Sequence, residues 1–129
     1  PGSMRFHSSG KECRSRYQLL EAFKDHSWVE IQPHTGRTHQ VRLTMLKLGA
    51  PVCCDTLYGS GNPLLLSSFK RNYRPGRDGL EHPLLSRLGL HAQSIQFRHP
   101  SRDTEMTVES ILPKDLAASL RQLRRWGTH

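Results

Sequence analysis

HTGRTHQVRLTMLKLG, His34 to Gly49, sets a cluster of polar and basic residues immediately ahead of a helical apolar repeat. Val41, Met45 and Leu48 recur at i, i+4 and i+7, which predicts a helix over 38–48 anchored by that stripe. Gly49 is a natural stop, with Pro51 just beyond it, and Thr38 or Thr35 is placed to cap the start. Upstream, Pro33 ends the run WVEIQP, because proline has no donor for a strand ladder. That run puts Val29 and Ile31 on one face and Trp28, Glu30 and Gln32 on the other. Before it, CRSRYQLLEAF (Cys13–Phe23) reads as another strand, and the turn residues DHS join the two into an antiparallel hairpin. The quoted stretch is therefore a strand-to-helix turn.

Downstream, PVCC and DTLYGSGNP form a short apolar piece and a turn. Residues Leu64 to Arg87 read as a long loop with a helical turn at most, carrying a basic knot of Lys70, Arg71, Arg74 and Arg77 around Tyr73. GLHAQSIQFRHP and TEMTVESILP both alternate and predict a second hairpin around SRD. KDLAASLRQLRRWG predicts a final helix. Asp115 lies at its start, Leu116, Leu120 and Leu123 line its apolar face, and arginines fill its last turn. The class is α+β: a mostly antiparallel, mixed sheet with helices packed on it.

At 129 residues the chain is one small domain or part of a larger one. Pro1 to Met4 read as an expression scar, leaving 5–129 to carry the fold. No run approaches the ~18 apolar residues of a membrane span, so no membrane partner is expected. Nineteen Lys and Arg against 11 acidic residues give a net charge of +8, which favours RNA or DNA as partner. Cys13, Cys53 and Cys54 make an odd count without framework spacing, pointing to reduced thiols and a cytoplasmic setting. The adjacent cysteines, with His34 and His39 upstream, lack the CxxC or HxxxH spacing of structural zinc, and no metal site is expected. Nothing supports Cys–His nucleophilic catalysis. His91 suits packing or a hydrogen bond, and His99, before a proline, suits a surface turn.

Chemically, the turn is equipped for an anion. Gly36 allows a sharp bend and a close backbone approach. A helix start offers free N–H groups, and Arg37 can fork onto a phosphate. His39 and Arg42, three apart, share a helix face, while Gln40 and Thr44 share a neighbouring one. The plainer alternative is a turn with solvated charges. The basic loop at 70–77 offers a similar choice between an RNA contact, with Tyr73 stacking, and a solvated surface.

The segment PHTGRTHQVRLTMLKLGAPVCCDTLYG resembles the TGRTHQ-(I/L/V)-R turn, the L-G-x-P-(I/V) turn and the G-D-x-x-Y-G segment of RluA-type RNA pseudouridine synthases. LGLHAQSIQFRHP resembles that family's later L-H-A segment. The resemblance implies cofactor-free isomerisation of uridine to pseudouridine in ribosomal or transfer RNA, around an aspartate found in His-Arg-Leu-Asp. By position, Arg42 matches the arginine that pairs with that aspartate. Arg37, Thr38, His39 and Gln40 match the rest of an RNA-facing turn, and Lys70, Arg71 and Arg74 extend the expected RNA contacts. His-Arg-Leu-Asp is not in this sequence, Cys54 replaces a glycine, and Thr44 stands where relatives carry histidine. Asp55, at the aspartate of G-D-x-x-Y-G, is expected to be structural. The expectation is then the C-terminal portion of a pseudouridine synthase catalytic domain, inactive alone, with a strand edge open to self-association. A non-catalytic RNA-binding module on the same fold is the alternative.

Overall fold

The computed structural model describes residues 2–98 and 105–128. Its first sheet is a three-stranded antiparallel meander, β1 (Gly2–Ser8), β2 (Lys11–Ala22) and β3 (Ser27–Pro33), in that spatial order. The β2–β3 hairpin matches the sequence reading, and Pro33 is its last residue. The strand β1 is a correction. Gly2 to Met4, set aside from the fold above, lie within it, in register with Tyr17 to Ser15. The Ser9-Gly10 pair closes this hairpin with positive φ at both residues, 52° and 75°, the twist that a two-residue hairpin requires. At Gly2 a Cβ would stand 2.5 Å from the Tyr17 ring, so a side chain there requires that ring to move.

Between Leu19 and Glu21 the β2–β3 register shifts, leaving Leu20 as the extra residue of a bulge. Beyond it Glu21 faces Trp28, and Trp28 packs against the cluster of Phe23, Leu120 and Leu123.

The helix of the quoted stretch, α1, runs Gln40–Lys47 and lies against β2 and β3. It starts later than expected and its cap is His39, in the left-handed region at φ 52°, without a side-chain cap bond. Neither Thr35 nor Thr38 caps it. The expected apolar anchor is also corrected. Gln40 and Thr44 are the buried residues, while Val41, Met45 and Leu48 are only half-buried. Gly49 ends the helix at φ 83°, as its position predicted.

The 64–87 segment is irregular, with one short 3-10 turn at Leu66–Ser68 and a bridge between Leu64 and Leu85. The second hairpin forms as β4 (Ser94–Arg98) and β5 (Glu105–Glu109), also antiparallel. Its SRD turn and His99 lie outside the described residues. Every strand pair in the described sheets is antiparallel, so the expected mixed character is not seen there. The last helix, α2 (Lys114–Trp126), buries Leu116, Leu120 and Leu123 as its periodicity predicted. Leu116 joins Cys54, Leu64 and Leu85 in one cluster, and Leu120 and Leu123 join Phe23 in another. Phe69 and Leu112 touch both, tying the loop segment and α2 into one core.

Candidate functional site

The turn at 34–39 is built from within. Gln40, 4% exposed, spends its whole amide inside the protein. Its Nε2 donates to the Arg14 carbonyl at 2.7 Å and to Ser15 Oγ at 2.9 Å. Its Oε1 accepts from the Thr35 hydroxyl at 2.6 Å and from the Arg37 N–H at 3.2 Å. Thr35 in turn accepts the Arg14 N–H at 3.0 Å, stitching the turn to β2. Gln40 is thus corrected from RNA contact to scaffold, since no polar atom of it is left to offer. Thr44, fully buried, donates its hydroxyl to the Gln40 carbonyl at 2.7 Å.

What the scaffold presents is basic and open. Arg37, Thr38 and His39 are exposed, and Arg37 Nε donates to the Glu12 carbonyl at 3.0 Å, which fixes its direction. Gly36, Arg37 and Thr38 line a concavity of about 220 Å³ together with Ser8, Ser9 and Lys11 from the β1–β2 turn. A second concavity, of about 400 Å³, is lined by Arg5, Arg14, Arg16 and His34 among others. Glu12 is the acidic residue here, 3.0 Å from Arg5 and 3.9 Å from Arg14. Gly36 is not in the left-handed region, and a Cβ on it would meet nothing within 4 Å. The bend that Gly36 allows therefore does not require a glycine, and the space beside it is open.

Arg42 sits one helical turn inside and does not wait for a distant partner. Its Nε donates to Asp55 Oδ2 at 2.8 Å and its second terminal nitrogen to Oδ1 at 2.5 Å, a two-point fork. Asp55 is 1% exposed and also accepts the N–H groups of Leu57 and Tyr58, both at 3.0 Å. The Arg42 guanidinium is the largest cause holding the Asp55 carboxyl well below the usual carboxylate range. Burial opposes it and the two backbone N–H groups assist it. Asp55 reciprocally raises Arg42. The structural role expected for Asp55 is what the geometry shows, whereas its identity as the Arg42 partner is a correction. The Arg42 side chain stays 17% exposed. Its Nε edge is spent on Asp55, so a second carboxylate could still be met by the remaining terminal nitrogen.

Tyr58, from DTLYG, completes the cluster. The Arg42 guanidinium lies 5.1 Å from its ring centroid, and its hydroxyl shares a 3.0 Å hydrogen bond with His39 Nδ1. His39 and Arg42 do act on one side, as their spacing predicted, but through Tyr58, which the sequence reading left out. Lys70 lies over Trp126 at the end of α2, and neither Arg71 nor Arg74 lines the two concavities beside the turn. Cys13 and Cys54 are buried free thiols and Cys53 is half-buried, its thiol pushed up chiefly by burial.

A family model described as RNA pseudouridylate synthase matches residues 1–47. The chain is 34% identical over 117 residues to an uncharacterized RNA pseudouridine synthase of Chlorobaculum parvum, covering 91% of this chain and 35% of that protein. It is 35% identical over 123 residues to ribosomal large subunit pseudouridine synthase D of Xylella fastidiosa, covering 94% and 35%. Ribosomal large subunit pseudouridine synthase C of Yersinia pestis is 34% identical over 121 residues, covering 94% and 34%. The chain thus spans about a third of the length of the curated relatives it matches.

Proposed function

The chain belongs to the RNA pseudouridine synthase family, and on that premise we propose that its protein isomerises uridine to pseudouridine in ribosomal RNA. The observation that carries the reading is Arg42: a buried-side guanidinium, aimed by Asp55, beside an open basic turn. In this proposal the chain, Gly2 to Met4 of β1 included, is the C-terminal portion of the catalytic domain and takes its part of the pseudouridine synthase fold. The aspartate that attacks the nucleoside comes from residues outside this sequence, because the family's His-Arg-Leu-Asp is not among these 129. Arg42 would meet that carboxylate with its remaining nitrogen, holding it ionised and directed through a charge-assisted bond. Arg37, Thr38 and His39 would take the RNA backbone around the target, with the uridine flipped from its stack at a cost of about a few kcal/mol. The basic concavities supply the long-range attraction. No cofactor is required in this scheme, and the cytoplasm is the expected compartment.

The test is tritium release from RNA labelled at uridine C5, using the full natural protein. Wild-type protein releases tritium. Arg42→Lys, which keeps the charge but cannot fork, loses at least ~100-fold, as for removal of one preorganised electrostatic group. Near-normal release by that variant would sink the assignment. These 129 residues alone release none; release from them alone would mean that they already hold their nucleophile. Full-length protein that binds RNA but never releases tritium would favour the binding-module reading.

A further inference from the structure

Trp126, the last residue of α2, carries two cations from separate parts of the chain. Lys70 Nζ lies 4.7 Å from its ring centroid and the Arg125 guanidinium 5.0 Å. Lys70 is held there by its neighbour Phe69, which packs into both core clusters. A third segment reaches the same corner, since the Lys24 N–H donates to the Gly127 carbonyl at 2.8 Å. Exposed Arg71 follows Lys70 directly. The acidic residues of the 21–25 segment are Glu21 and Asp25. Arg124 already engages both oxygens of Glu21. No ion pair among the described residues involves Lys24, Lys70, Arg71 or Arg125.

The helix dipole does not account for this gathering. It amounts to roughly half a negative charge at a helix C-terminus, Arg124 stands in the same turn, and the Gly127 carbonyl is taken by Lys24. Two cations on one indole also repel each other, and an exposed ring attracts each of them only weakly. A bridging anion turns that repulsion into two attractions. A phosphodiester suits it: arginine forks onto its oxygens and lysine meets it as a point charge.

We propose that Lys70 and Arg125 on Trp126, with exposed Arg71 next in the chain and the Lys24 backbone bonded to Gly127 beside them, form a second RNA-binding surface that grips the phosphodiester backbone away from the target uridine. It shares no residue with the 34–42 turn, and it rests on the RNA reading above for its ligand.

The experiment is fluorescence anisotropy with a labelled single-stranded oligouridylate, titrated at several salt concentrations. K70Q/R125Q is compared with K47Q/K114Q, which removes the same charge elsewhere. Losing two phosphate contacts lowers the slope of log K against log salt by ~1.4, or roughly 25-fold weaker binding at 0.1 M salt, converging towards 1 M. K70R/R125K keeps the wild-type slope; its loss would show that packing on Trp126 mattered and not charge, and would overturn the proposal. Equal behaviour of K70Q/R125Q and K47Q/K114Q would overturn it while leaving the RNA reading intact. A K70Q/R125Q variant that loses polyglutamate binding but keeps RNA binding would overturn it in favour of an acidic protein partner. Wild-type protein that bound no RNA would remove both readings together.

Discussion

A single guanidinium shows how far residue chemistry reaches here. Arg42 is legible in TGRTHQVR as a helix-start cation, but its partner is 13 positions away, across a turn whose path no local pattern reports. Only the spacing of the resembled segments hinted that Asp55 mattered. The pair makes a prediction about acid. Because the folded Asp55 pKa is depressed, its contribution is complete above pH ~5, about one unit above the unfolded carboxylate pKa of ~3.9, and drains away as pH falls below that. Asp55→Asn leaves Arg42 without its counter-charge and lowers Tm on the order of 10 °C at neutral pH. That gap should close progressively below pH ~4, because wild type then loses what the variant never had. Glu21, Asp78 and Asp115, also held low by their partners, are common to both proteins and cancel in the difference. Thermal melts from pH 7 to pH 2 decide it, and a gap independent of pH would refute the assigned role. Gly36 gives the converse case, a residue that the fold does not demand. Gly36→Ala should leave stability unchanged or raise it by up to ~1 kcal/mol through the unfolded chain, yet weaken RNA binding severalfold. Unchanged RNA affinity would mean that nothing approaches Gly36 closely.

At the scale of elements, α1 is where pattern reading went furthest astray. Its apolar stripe is real in sequence, yet the residues it buries are Gln40 and Thr44. The reason is that an eight-residue helix at a strand exit is seated by its entry turn, and that turn is held by polar bonds to β2. Hydrophobic periodicity cannot see such an anchor, although Thr35, Gln40 and Thr44 were all visible as polar residues. Gln40→Ala should therefore behave as a core mutation. It strands buried Ser15 Oγ and three further turn groups, at a cost on the order of 3 kcal/mol. Val41→Ala, on the half-buried stripe, should cost less. Urea denaturation of the two variants settles the order, and a milder loss for Gln40→Ala would restore the apolar anchor. The second helix is the contrasting element. Its leucines do line the core, because α2 packs through its length against Phe23, Leu64 and Leu85, while its ion pairs, Arg87 on Asp115 at its start and Arg124 on Glu21 near its end, lie at the exposed surface. The strand β1 was missed for a different reason. Pro1 to Met4 read as foreign to the fold, although Ser9-Gly10 between two alternating runs is itself a hairpin signal.

For the whole molecule, charge was readable from composition but its distribution was not. The sequence shows +8, while the fold separates a basic turn from a basic corner around Trp126. The fold also determines which edge is open. In the three-stranded sheet the outer edges are β1 and β3. The β3 edge ends in Pro33, which blunts a ladder, and exposed Glu30 lies along it. Along β1 no proline interrupts Gly2 to Ser8, and its one arginine, Arg5, is neutralised by Glu12 at 3.0 Å. Of the two, β1 is the edge better able to accept another strand. These 129 residues should therefore self-associate, pairing β1 with β1 of a second copy or with a partner strand. Sedimentation velocity over a range of concentrations should show a weight-average mass rising above 14.8 kDa, with β1 amides gaining protection from hydrogen exchange in step. A monomer at every concentration, or association without protection in β1, would show that the edge is blunted by something other than pairing. In the first case the twist at the Ser9-Gly10 turn would be the element to examine, since a strongly coiled ribbon presents its edge poorly to a second strand.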